Sequence, residues 1–306
     1  MNAIIFGATG QDGRYLTEIL AHAGLAVTGV ARHGGDVPLD VSDVPGVRQL
    51  IRRLHPSYIF HLAATSNIRY EDLWANHASI STGTLAILDA VKQECPGARV
   101  LLAGSAHQFI NRGEPLNENA ELDYSDPYTV ARHHSLFAGR YFRKLGLKIY
   151  FAYLFHHDSP YRSNHHLTMK IAEAAARSAQ GSADKLTLGD IDAQKEFNFA
   201  GDTVDALWRI INQEAHFEYV VGSGVSYSIR NWVELCYSHV GLDWRQHVHI
   251  NDRFSSTYRR IVSDPQLLQG LGWKPRTDLS SMCEIIMEEA LRRVQPAHAP
   301  VLIQST

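Results

Sequence analysis

The amino-acid sequence predicts an α/β fold, a Rossmann-like doubly wound parallel sheet with a smaller, discontinuous substrate domain. Three observations support this prediction. The chain opens on a strand, a glycine-rich turn, a helix and a second strand. Strand-like and helical segments then alternate over the first half of the chain. After His157 the alternation stops and it returns near residue 197, which indicates that a second domain interrupts the first.

The individual elements follow from hydrophobic periodicity. Ile4, Ile5 and Phe6 form the first strand, and the next helix carries apolar residues at helical spacing, namely Leu16, Ile19, Leu20 and Ala23. Further strands are predicted at YIFHLAA, RVLLAGS and KIYFAYLF. Helices are predicted between them at GTLAILDAVKQ and PYTVARHHSLFAGRYFRKLG. Such alternation is typical of a parallel sheet covered by helices on both faces.

The second half of the chain defines the domain boundaries. DSPYRSNHH predicts a loop across a cleft, and FNFAGDTVDALWRIINQ and FEYVVGSG predict a return to the sheet. Helices are predicted at LTMKIAEAAARSA, SIRNWVELCYSHVG and SSMCEIIMEEALRRV. We therefore expect a dinucleotide-binding domain of residues 1–157 plus about 197–222. A substrate-binding domain of about 158–196 plus 223–294 and a loose tail at 295–306 complete the division.

Composition excludes several classes of function. The chain has 306 residues and a net charge of -3, so it carries no basic field for nucleic acid. No apolar run reaches membrane-spanning length, and no leader precedes the first strand. The 3 cysteines lack disulfide or metal spacing, and the 17 histidines show no zinc-site pattern. We expect a cytoplasmic protein that binds no metal.

Gly7, Gly10 and Gly13 stand at GxxGxxG spacing between a strand and a helix. Side chains at these positions would keep a pyrophosphate away from the amides at the helix N-terminus. A strand, turn and helix in this order are the structural context of a dinucleotide-binding site. The motif predicts a nicotinamide dinucleotide cofactor, and a glycine turn of purely structural use is the alternative.

The end of the second strand bears on which cofactor is bound. It reads Ala31-Arg32-His33 and lacks the acid that would bind the ribose 2′-hydroxyl of NAD, whereas Arg32 would accept the 2′-phosphate of NADP. We expect NADP, although Asp36 lies near enough to leave NAD open. Asp40 and Val41 are candidates for contacts with adenine, and Asp40 as an ordinary turn residue is the alternative.

Two segments carry the candidate catalytic residues. AGSAHQFI places Ser105 and His107 just beyond a strand, and SDPYTVARHH places a base, Arg132, four residues after Tyr128. The imidazole of His107 titrates near neutrality and suits proton transfer. Each residue also has a structural interpretation. These are a strand-end cap for Ser105, a hydrogen-bonded pocket residue for His107, core packing for Tyr128 and a surface helix position for Arg132.

The sequence resembles the extended short-chain dehydrogenase/reductases that modify nucleotide sugars (the NAD-dependent epimerase/dehydratase family), and most closely their GDP-mannose 4,6-dehydratase branch. The resemblance runs in collinear order from about residue 3 to 294. It rests on these stretches: GATGQDGRYL, HLAATS, GTLAILDAV, SDPYTVAR, LFHHDSP, LGDIDAQKEFNFAGDTVDALW, YVVGSGVSYSIR and LGWKPRT. TGQDG, LFHHDSP and GDIDAQKEFNFAGD are specific to the dehydratase branch.

The resemblance implies roles for individual residues. Ser105 would help to polarise the C4 hydroxyl of the sugar, and Tyr128 would remove its proton while NADP accepts hydride. The residue at position 107 would take the C5 proton, water would leave from C6, and hydride would return to C6. Implied cofactor-binding residues are Gly7, Thr9, Gly10, Gln11, Asp12, Gly13, Arg32, Asp40, Val41, Leu62, Ala63, Ala64, Tyr128, Arg132 and His157. Implied substrate-binding residues are Ser66, His156, Arg162, Lys170 and Lys195.

The sequence departs from the family pattern at four of these positions. Arg132 replaces a lysine, His107 a glutamate, His156 an asparagine and Lys195 an arginine. RFSSTYRRIVSDP does not align with the family's nucleotide-binding loop, although Arg253, Arg259 or Arg260 could substitute. Three functions therefore remain open. They are a dehydratase-like enzyme, an epimerase or 4-keto reductase, and a catalytically impaired protein that binds NADP and a nucleotide sugar.

The sequence also predicts a homodimer. The link HGGDVPLDVSD between the second and third strands lacks the longer arm that the family's tetramers use for contacts. The helix that carries Tyr128 presents more apolar surface than one side facing the sheet needs, at Leu136, Phe137, Tyr141 and Phe142. Family members pair through this helix and the one at GTLAILDAV.

Overall fold

A computed structural model describes residues 1–251, 253–254, 256 and 258–295. Apart from residue 295, the tail predicted at 295–306 lies outside the described residues. The helices are α1 (Gln11–His22), α2 (Val44–Leu54), α3 (Leu73–Asn76), α4 (Gly83–Glu94), α5 (Pro127–Lys144), α6 (Leu167–Ala179), α7 (Ala200–Ile211), α8 (Ile229–His239), α9 (Gln266–Gly270) and α10 (Leu279–Val294). None of the helices in this part of the chain is long and apolar enough to cross a membrane.

The strands fall into one large sheet and several short pairings. They are β1 (Asn2–Phe6), β2 (Ala26–Ala31), β3 (Val37–Pro38), β4 (Tyr58–His61), β5 (Arg99–Ser105), β6 (Lys148–Leu154), β7 (His157–Asp158), β8 (Leu186–Leu188), β9 (Gln194–Lys195), β10 (Asn198–Phe199), β11 (Glu218–Val221), β12 (Tyr227–Ser228), β13 (Val248–Ile250) and β14 (Arg260–Ile261). The large sheet has 7 strands in the order β11-β6-β5-β4-β1-β2-β3. Every pairing in it is parallel. The strand order reverses between β1 and β4, so the predicted doubly wound fold is confirmed.

Side chains on the sheet alternate between two cores, as the pleat requires. Ile4 and Phe6 of β1 pack with residues of α2, α4 and α5 on one face, and Ala3 and Ile5 pack with α1 and α7 on the other. Both faces are therefore buried, which explains why the strands are continuous apolar runs.

A third core lies outside the sheet and unites α6, α8 and α10 with the short strands β8 and β13. Its centre is Trp232, which is fully buried and stacks on Phe197 with ring centroids 5.3 Å apart. The indole nitrogen of Trp232 donates to the carbonyl of Thr168 at 3.1 Å. This core is the packing unit of the part of the chain for which we predicted a substrate domain, and the domain boundaries themselves stay a prediction.

The four apolar residues that the sequence offered on α5 divide between its two sides. Leu136 and Phe142 are buried between α5 and the sheet. Phe137 and Tyr141 are exposed, with 53% and 59% of their surface accessible. The helix is longer than the strand beneath it, and the 3.6-residue period brings Leu136 and Phe142 back to the inner side.

Candidate active site

Two adjoining cavities run along the carboxyl ends of the central strands, where the strand order reverses. One has a volume of about 330 Å³ and lies between β1, β2 and β4, and the other has about 430 Å³ and extends from β5 toward the third core. They share four lining residues, Gly7, Gly10, Leu62 and Ala64. A topological switch point is where open α/β sheets bind their ligands.

The structural requirement for glycine differs among the three glycines of the first turn. Gly7 has φ of +91°, and a Cβ there would lie 2.7 Å from the amide nitrogen of Ala63. A Cβ at Gly13 would lie 2.4 Å from the carbonyl oxygen of Gly7. Gly10 has an ordinary φ of -71°, and a Cβ would come no nearer than 3.4 Å to any described atom. Close backbone contacts within the chain thus require glycine at positions 7 and 13. They do not require it at position 10, where a side chain would only occupy the space in front of α1.

The smaller cavity is lined by small apolar groups and a few polar ones. Thr9, Arg32, Val41 and Ala63 are among its lining residues. Asp36, which left the choice of cofactor open, does not line it, because its carboxylate accepts a hydrogen bond from the amide of Gly29 at 2.7 Å. Arg32 is thus the charged side chain at the end of β2 that faces this cavity.

Asp40 lines the same cavity and is also a turn residue. Its carboxylate accepts hydrogen bonds from the amide and the hydroxyl of Ser42 at 2.9 and 2.7 Å. These bonds, with a contribution from Arg32, hold the pKa of Asp40 below its usual range. The structural interpretation of Asp40 is therefore realised, and a contact with adenine stays a prediction.

Ser105 ends β5 and lines the larger cavity. Its hydroxyl accepts a hydrogen bond from the amide of His107 at 3.2 Å, and its own amide donates to the side chain of Gln108 at 2.9 Å. His133 of α5 contacts Gln108 at 3.4 Å and so ties this turn to the helix. Ser105 is both a strand-end cap and a cavity residue, and the network fixes its position.

His107 projects from the same turn into the larger cavity, and its ring is exposed there. Among the described residues the ring has no hydrogen-bond partner, which differs from the hydrogen-bonded role considered as its alternative. The cavity walls withdraw water from the ring and lower the pKa of His107, although Asp126 and Asp123 act in the opposite sense. The expectation of a titration near pH 6.5 is therefore too high, and the imidazole is neutral at pH 7.

Tyr128 and Arg132 occupy successive turns of α5 and are both buried. The guanidinium carbon of Arg132 lies 5.2 Å from the centroid of the Tyr128 ring, and its Nη1 donates to the carbonyl of Ala103. Its Nε is buried and has no partner within the described part of the chain. The surface position considered for Arg132 is wrong. Arg132 is a buried cation. Burial of the His61 ring, and after it the charge of Arg132, lower the pKa of His61 to about 3.

His157 and Asp12 join the two sides of the cavity. His157 Nε2 lies 3.0 Å from the Asp12 carboxylate, and Nδ1 lies 2.8 Å from the carbonyl of Phe155. Both ring nitrogens thus face acceptors, which suits the doubly protonated ring. Burial alone would lower the pKa of His157, but Asp12 outweighs it and the pKa is raised. Burial would likewise raise the pKa of Asp12, but His157 and Arg162 lower it.

A charged cluster forms the far end of the larger cavity. The fully buried Asp158 accepts from Arg162 Nε at 2.8 Å and lies 2.9 Å from His156 Nε2, which is itself 3.0 Å from Lys195 Nζ. Burial opposes ionisation of Asp158, but His156 and the two cations outweigh it and keep its pKa below the usual range. Burial lowers the pKa of His156 to about 4 and that of Lys195 to about 8. At pH 7 these four side chains therefore comprise two cations, one carboxylate and one neutral imidazole.

All but one of the residues implied by the sequence line one of the two cavities. The exception is Lys170, which is exposed on α6 and lines neither of them. Arg253, Arg259 and Arg260 do not line the cavities either, and Arg260 Nε donates to Ser226 at 3.0 Å. The catalytic and binding roles of the lining residues stay predictions.

Several cavity residues were missed by the sequence reasoning. The buried carboxylate of Glu196 accepts from the amides of Ser223 and Ser263 at 2.7 and 2.6 Å and so joins three separate segments. His166 and Tyr258 also line the larger cavity, and Thr168 bonds Asp158 from α6. Asp158 and Glu196 stood in recognisable motifs, LFHHDSP and GDIDAQKEFNFAGD, whereas His166, Thr168 and Tyr258 lie outside the motifs and are brought in by the fold.

Comparison with known proteins shows the family to which the chain is similar. The family model described as GDP-mannose 4,6 dehydratase matches residues 4–286. GDP-mannose 4,6 dehydratase 1 of Arabidopsis thaliana is 28% identical over 322 residues, which cover 94% of this chain and 89% of the relative. The structure of RMD from Pseudomonas aeruginosa complexed with NADPH superposes with a TM-score of 0.85 and 22% identity, covering 96% of this chain and 99% of that one. UDP-glucose 4-epimerase from Thermotoga maritima with UDP-glucose has a TM-score of 0.86 and 17% identity, with coverage of 96% and 100%.

Proposed function

The chain belongs to the GDP-mannose 4,6-dehydratase family and is a dehydratase-like enzyme that modifies nucleotide sugars; on this premise we propose its cofactor, its substrate class and the roles of its residues. The cofactor is NADP, bound along the smaller cavity and the glycine turn. The substrate is a GDP-linked hexose, bound in the larger cavity. The reaction is oxidation at C4 followed by chemistry at C5 and C6.

The residues that would hold the cofactor fit a dinucleotide. Gly10 leaves open space at the N-terminus of α1, where backbone amides favour a pyrophosphate. Arg32 supplies a cation for a 2′-phosphate, and Asp36, whose Oδ2 accepts from the Gly29 amide, does not line this cavity. A bound nicotinamide would supply the acceptor for hydride from C4 and the donor for a later reduction.

The chain's own groups act on the protons. Tyr128 removes the proton of the C4 hydroxyl, and Ser105, fixed by its bonds to the turn, hydrogen-bonds the same oxygen. Arg132 places its guanidinium carbon 5.2 Å from the centre of the Tyr128 ring and acts by position, because a guanidinium does not release a proton at neutral pH. Arg132 lines the larger cavity beside Tyr128, where it would hold the nicotinamide ribose.

His107 transfers the proton at C5. A ketone at C4 acidifies the C5 hydrogen, so a modest base is sufficient. The lowered pKa keeps the ring neutral, and its freedom from protein partners leaves a nitrogen available to accept the proton. At the far end, Arg162 and Lys195 supply the positive charge that a diphosphate group needs.

One observation carries the proposal. Ser105, His107, Tyr128 and Arg132, from a strand end, a turn and a helix, line one cavity together with the glycine turn and the cations of its far end. The test is incubation with NADP and a panel of nucleotide sugars, read by mass spectrometry. A dehydratase removes the mass of one water. Tyr128→Phe should lower the rate by about 100-fold or more, whereas Tyr124→Phe, at an exposed position, should not.

The absence of the family's glutamate favours a second candidate. A neutral imidazole at position 107 also suits an epimerase or a 4-keto reductase, because it can exchange a proton without driving water from C6. In the same assay epimerisation leaves the mass unchanged but alters the sugar. A reduction is tested with NADPH in place of NADP and a 4-keto sugar, and it consumes NADPH in proportion to product. A protein that binds both ligands and changes neither is the impaired binding protein.

The assembly we propose is a homodimer formed through α4 and α5. Val130, Phe137 and Tyr141 form an exposed stripe along α5, and Leu85 is exposed on the neighbouring α4. A monomeric protein rarely leaves such a stripe uncovered. Light scattering at micromolar concentration should give a dimer that Phe137→Glu dissociates, and a stable tetramer or a monomer in the unmodified protein would contradict the proposal.

A further inference from the structure

The segment that follows β7 crosses the cleft and is held from both sides. Residues 159–166 carry Arg162, whose guanidinium forms part of the substrate end of the larger cavity. On the outer side, Arg293 at the end of α10 donates to the carbonyls of Pro160 and Arg162 at 2.6 and 2.9 Å. On the inner side the segment is held by the first turn of α1.

Gln11 makes the inner attachment with both ends of its side chain. Its Nε2 donates to the carbonyl of His157 at 3.2 Å, and its Oε1 accepts from the hydroxyl of Ser159 at 2.9 Å. Both Gln11 and Ser159 are buried. Gln11 directly follows Gly10 and is the first residue of α1, so the amide group that reaches the segment belongs to the glycine turn itself.

The carbonyl oxygen of His157 is a shared acceptor. Gln11 approaches it at 3.2 Å and Arg162 Nη2 at 3.3 Å, so a residue of the cofactor turn and a residue of the substrate end donate to one atom. The ring of the same histidine is bonded to Asp12, the next residue of α1. Any change in the position of the first turn of α1 therefore reaches Arg162 through a single peptide group.

We propose that Gln11, Ser159 and the His157 carbonyl form a latch through which cofactor binding at the glycine turn orders residues 159–166 and positions Arg162 for the substrate. The inference rests on the proposed NADP site and adds to it a coupling, by which bound cofactor strengthens the binding of the nucleotide sugar. Gln11 is a positioning residue in this scheme. A dinucleotide that restrains the turn restrains the segment, and linkage makes the effect reciprocal.

Hydrogen–deuterium exchange of the full-length protein tests the latch without knowledge of the sugar. NADP should slow amide exchange in peptides from residues 160–166 by at least about fivefold. Peptides over 155–158 are left out of the comparison because Phe155, His156 and His157 line the cavity and His157 is a proposed cofactor contact. In Ser159→Ala the slowing should fall below about twofold, because the bond to Gln11 is lost.

The control is Ser135→Ala, which removes an equally buried hydroxyl, bonded to Thr84 at 2.8 Å, on the opposite face of the sheet. It should leave the NADP-dependent slowing at the level of the unmodified protein. If Ser159→Ala does not fold, Gln11→Met removes both bonds at similar volume and must give the same loss.

The outcomes separate the latch from the cofactor proposal. Failure of calorimetry to detect NADP binding would overturn both. NADP binding without slower exchange at 160–166, or slowing that persists in Ser159→Ala, would overturn the latch and leave the cofactor site intact. Loss of slowing in Ser159→Ala, with the control unaffected, is the result that the latch requires.

Discussion

The two ends of the cleft are built on different principles. At the cofactor end, backbone atoms lie so close to one another that a side chain would clash, and the residues that allow this are glycines within one continuous turn. At the substrate end the decisive groups are ionisable side chains from separate segments, with Asp158 buried among His156, Arg162 and Lys195. The first end is determined by steric limits and the second by a balance of charge.

This difference fits two of the chain's four departures from its family's pattern. A glycine that prevents a clash, as at Gly7 and Gly13, has no substitute, and the turn keeps its motif intact. A positive charge can be supplied by more than one residue type, and the departures at His156 and Lys195 fall at the substrate end, whereas those at His107 and Arg132 belong to the proposed catalytic group. Substitutions in the glycine turn should therefore act through geometry and those at the substrate end through charge, and four tests of this contrast follow in order of expected effect.

The largest effect is expected for Asp158→Asn. Removing the carboxylate leaves Arg162 and Lys195 facing each other in a buried site, so the free energy of unfolding should fall by about 3–5 kcal/mol. Asp192→Asn, which breaks an exposed ion pair with Arg230, should cause no measurable loss. Equal denaturation curves for Asp158→Asn and the unmodified protein would show that the cluster does not depend on charge balance.

At the cofactor end Gly10→Val and Gly13→Val should differ from each other. Gly10→Val should weaken NADP binding at least about tenfold without loss of the fold, because its side chain enters only the space in front of α1. Gly13→Val should unfold the domain or lower its melting temperature, since its Cβ meets the Gly7 carbonyl at 2.4 Å. Calorimetry and thermal melts distinguish the two, and unchanged NADP affinity in Gly10→Val would remove the cofactor assignment.

A smaller effect is expected from the titration of Lys195. Burial lowers the pKa of its ammonium to about 8, so the group loses its charge as the pH rises through that value. The affinity for a nucleoside diphosphate such as GDP should consequently fall about fivefold between pH 7 and pH 9. Lys195→Arg keeps its charge over this range and should flatten the profile. A profile that falls equally in Lys195→Arg would assign the titration to another group.

The smallest effect is expected for Arg32→Ala. Arg32 is exposed at the rim of the smaller cavity, so water and salt screen its charge. The substitution should lower the preference for NADP over NAD by about fivefold or less. Binding constants for both dinucleotides provide the check, and a protein that prefers NAD before the substitution would show that the predicted cofactor is wrong.

The sequence was sufficient for the sheet and the glycine turn because their signals are local. Apolar runs marked β1, β4, β5 and β6, and glycine spacing marked the turn. The short strands β8 and β13 have no such signal, since each is three residues long and is stabilised by the third core. Tertiary packing also determines which side of α5 faces the sheet, and Leu136 is buried on that side.

Within the site, the sequence could not predict the burial, the hydrogen bonds or the charge states of individual side chains. The burial of Arg132, the engagement of Asp36 with the Gly29 amide and the lowered pKa of His107 all depend on neighbours that are distant in the chain or set by a turn. Glu196 was missed for the same reason, because its hydrogen-bond partners come from two other segments. Motifs thus predicted which residues meet, and the fold determined their charge states.

The most direct test of the central claim, that His107 transfers a proton at C5, is isotope exchange in deuterated water. The unmodified protein, supplied with NADP and the nucleotide sugar that it converts, should incorporate deuterium at C5. The rate should decline as the pH falls below about 6.5, because the pKa of His107 is lowered from its ordinary value and the ring is neutral above that pH. His107→Asn should bind NADP normally and incorporate none, whereas exchange at the unmodified rate in this variant would contradict the account.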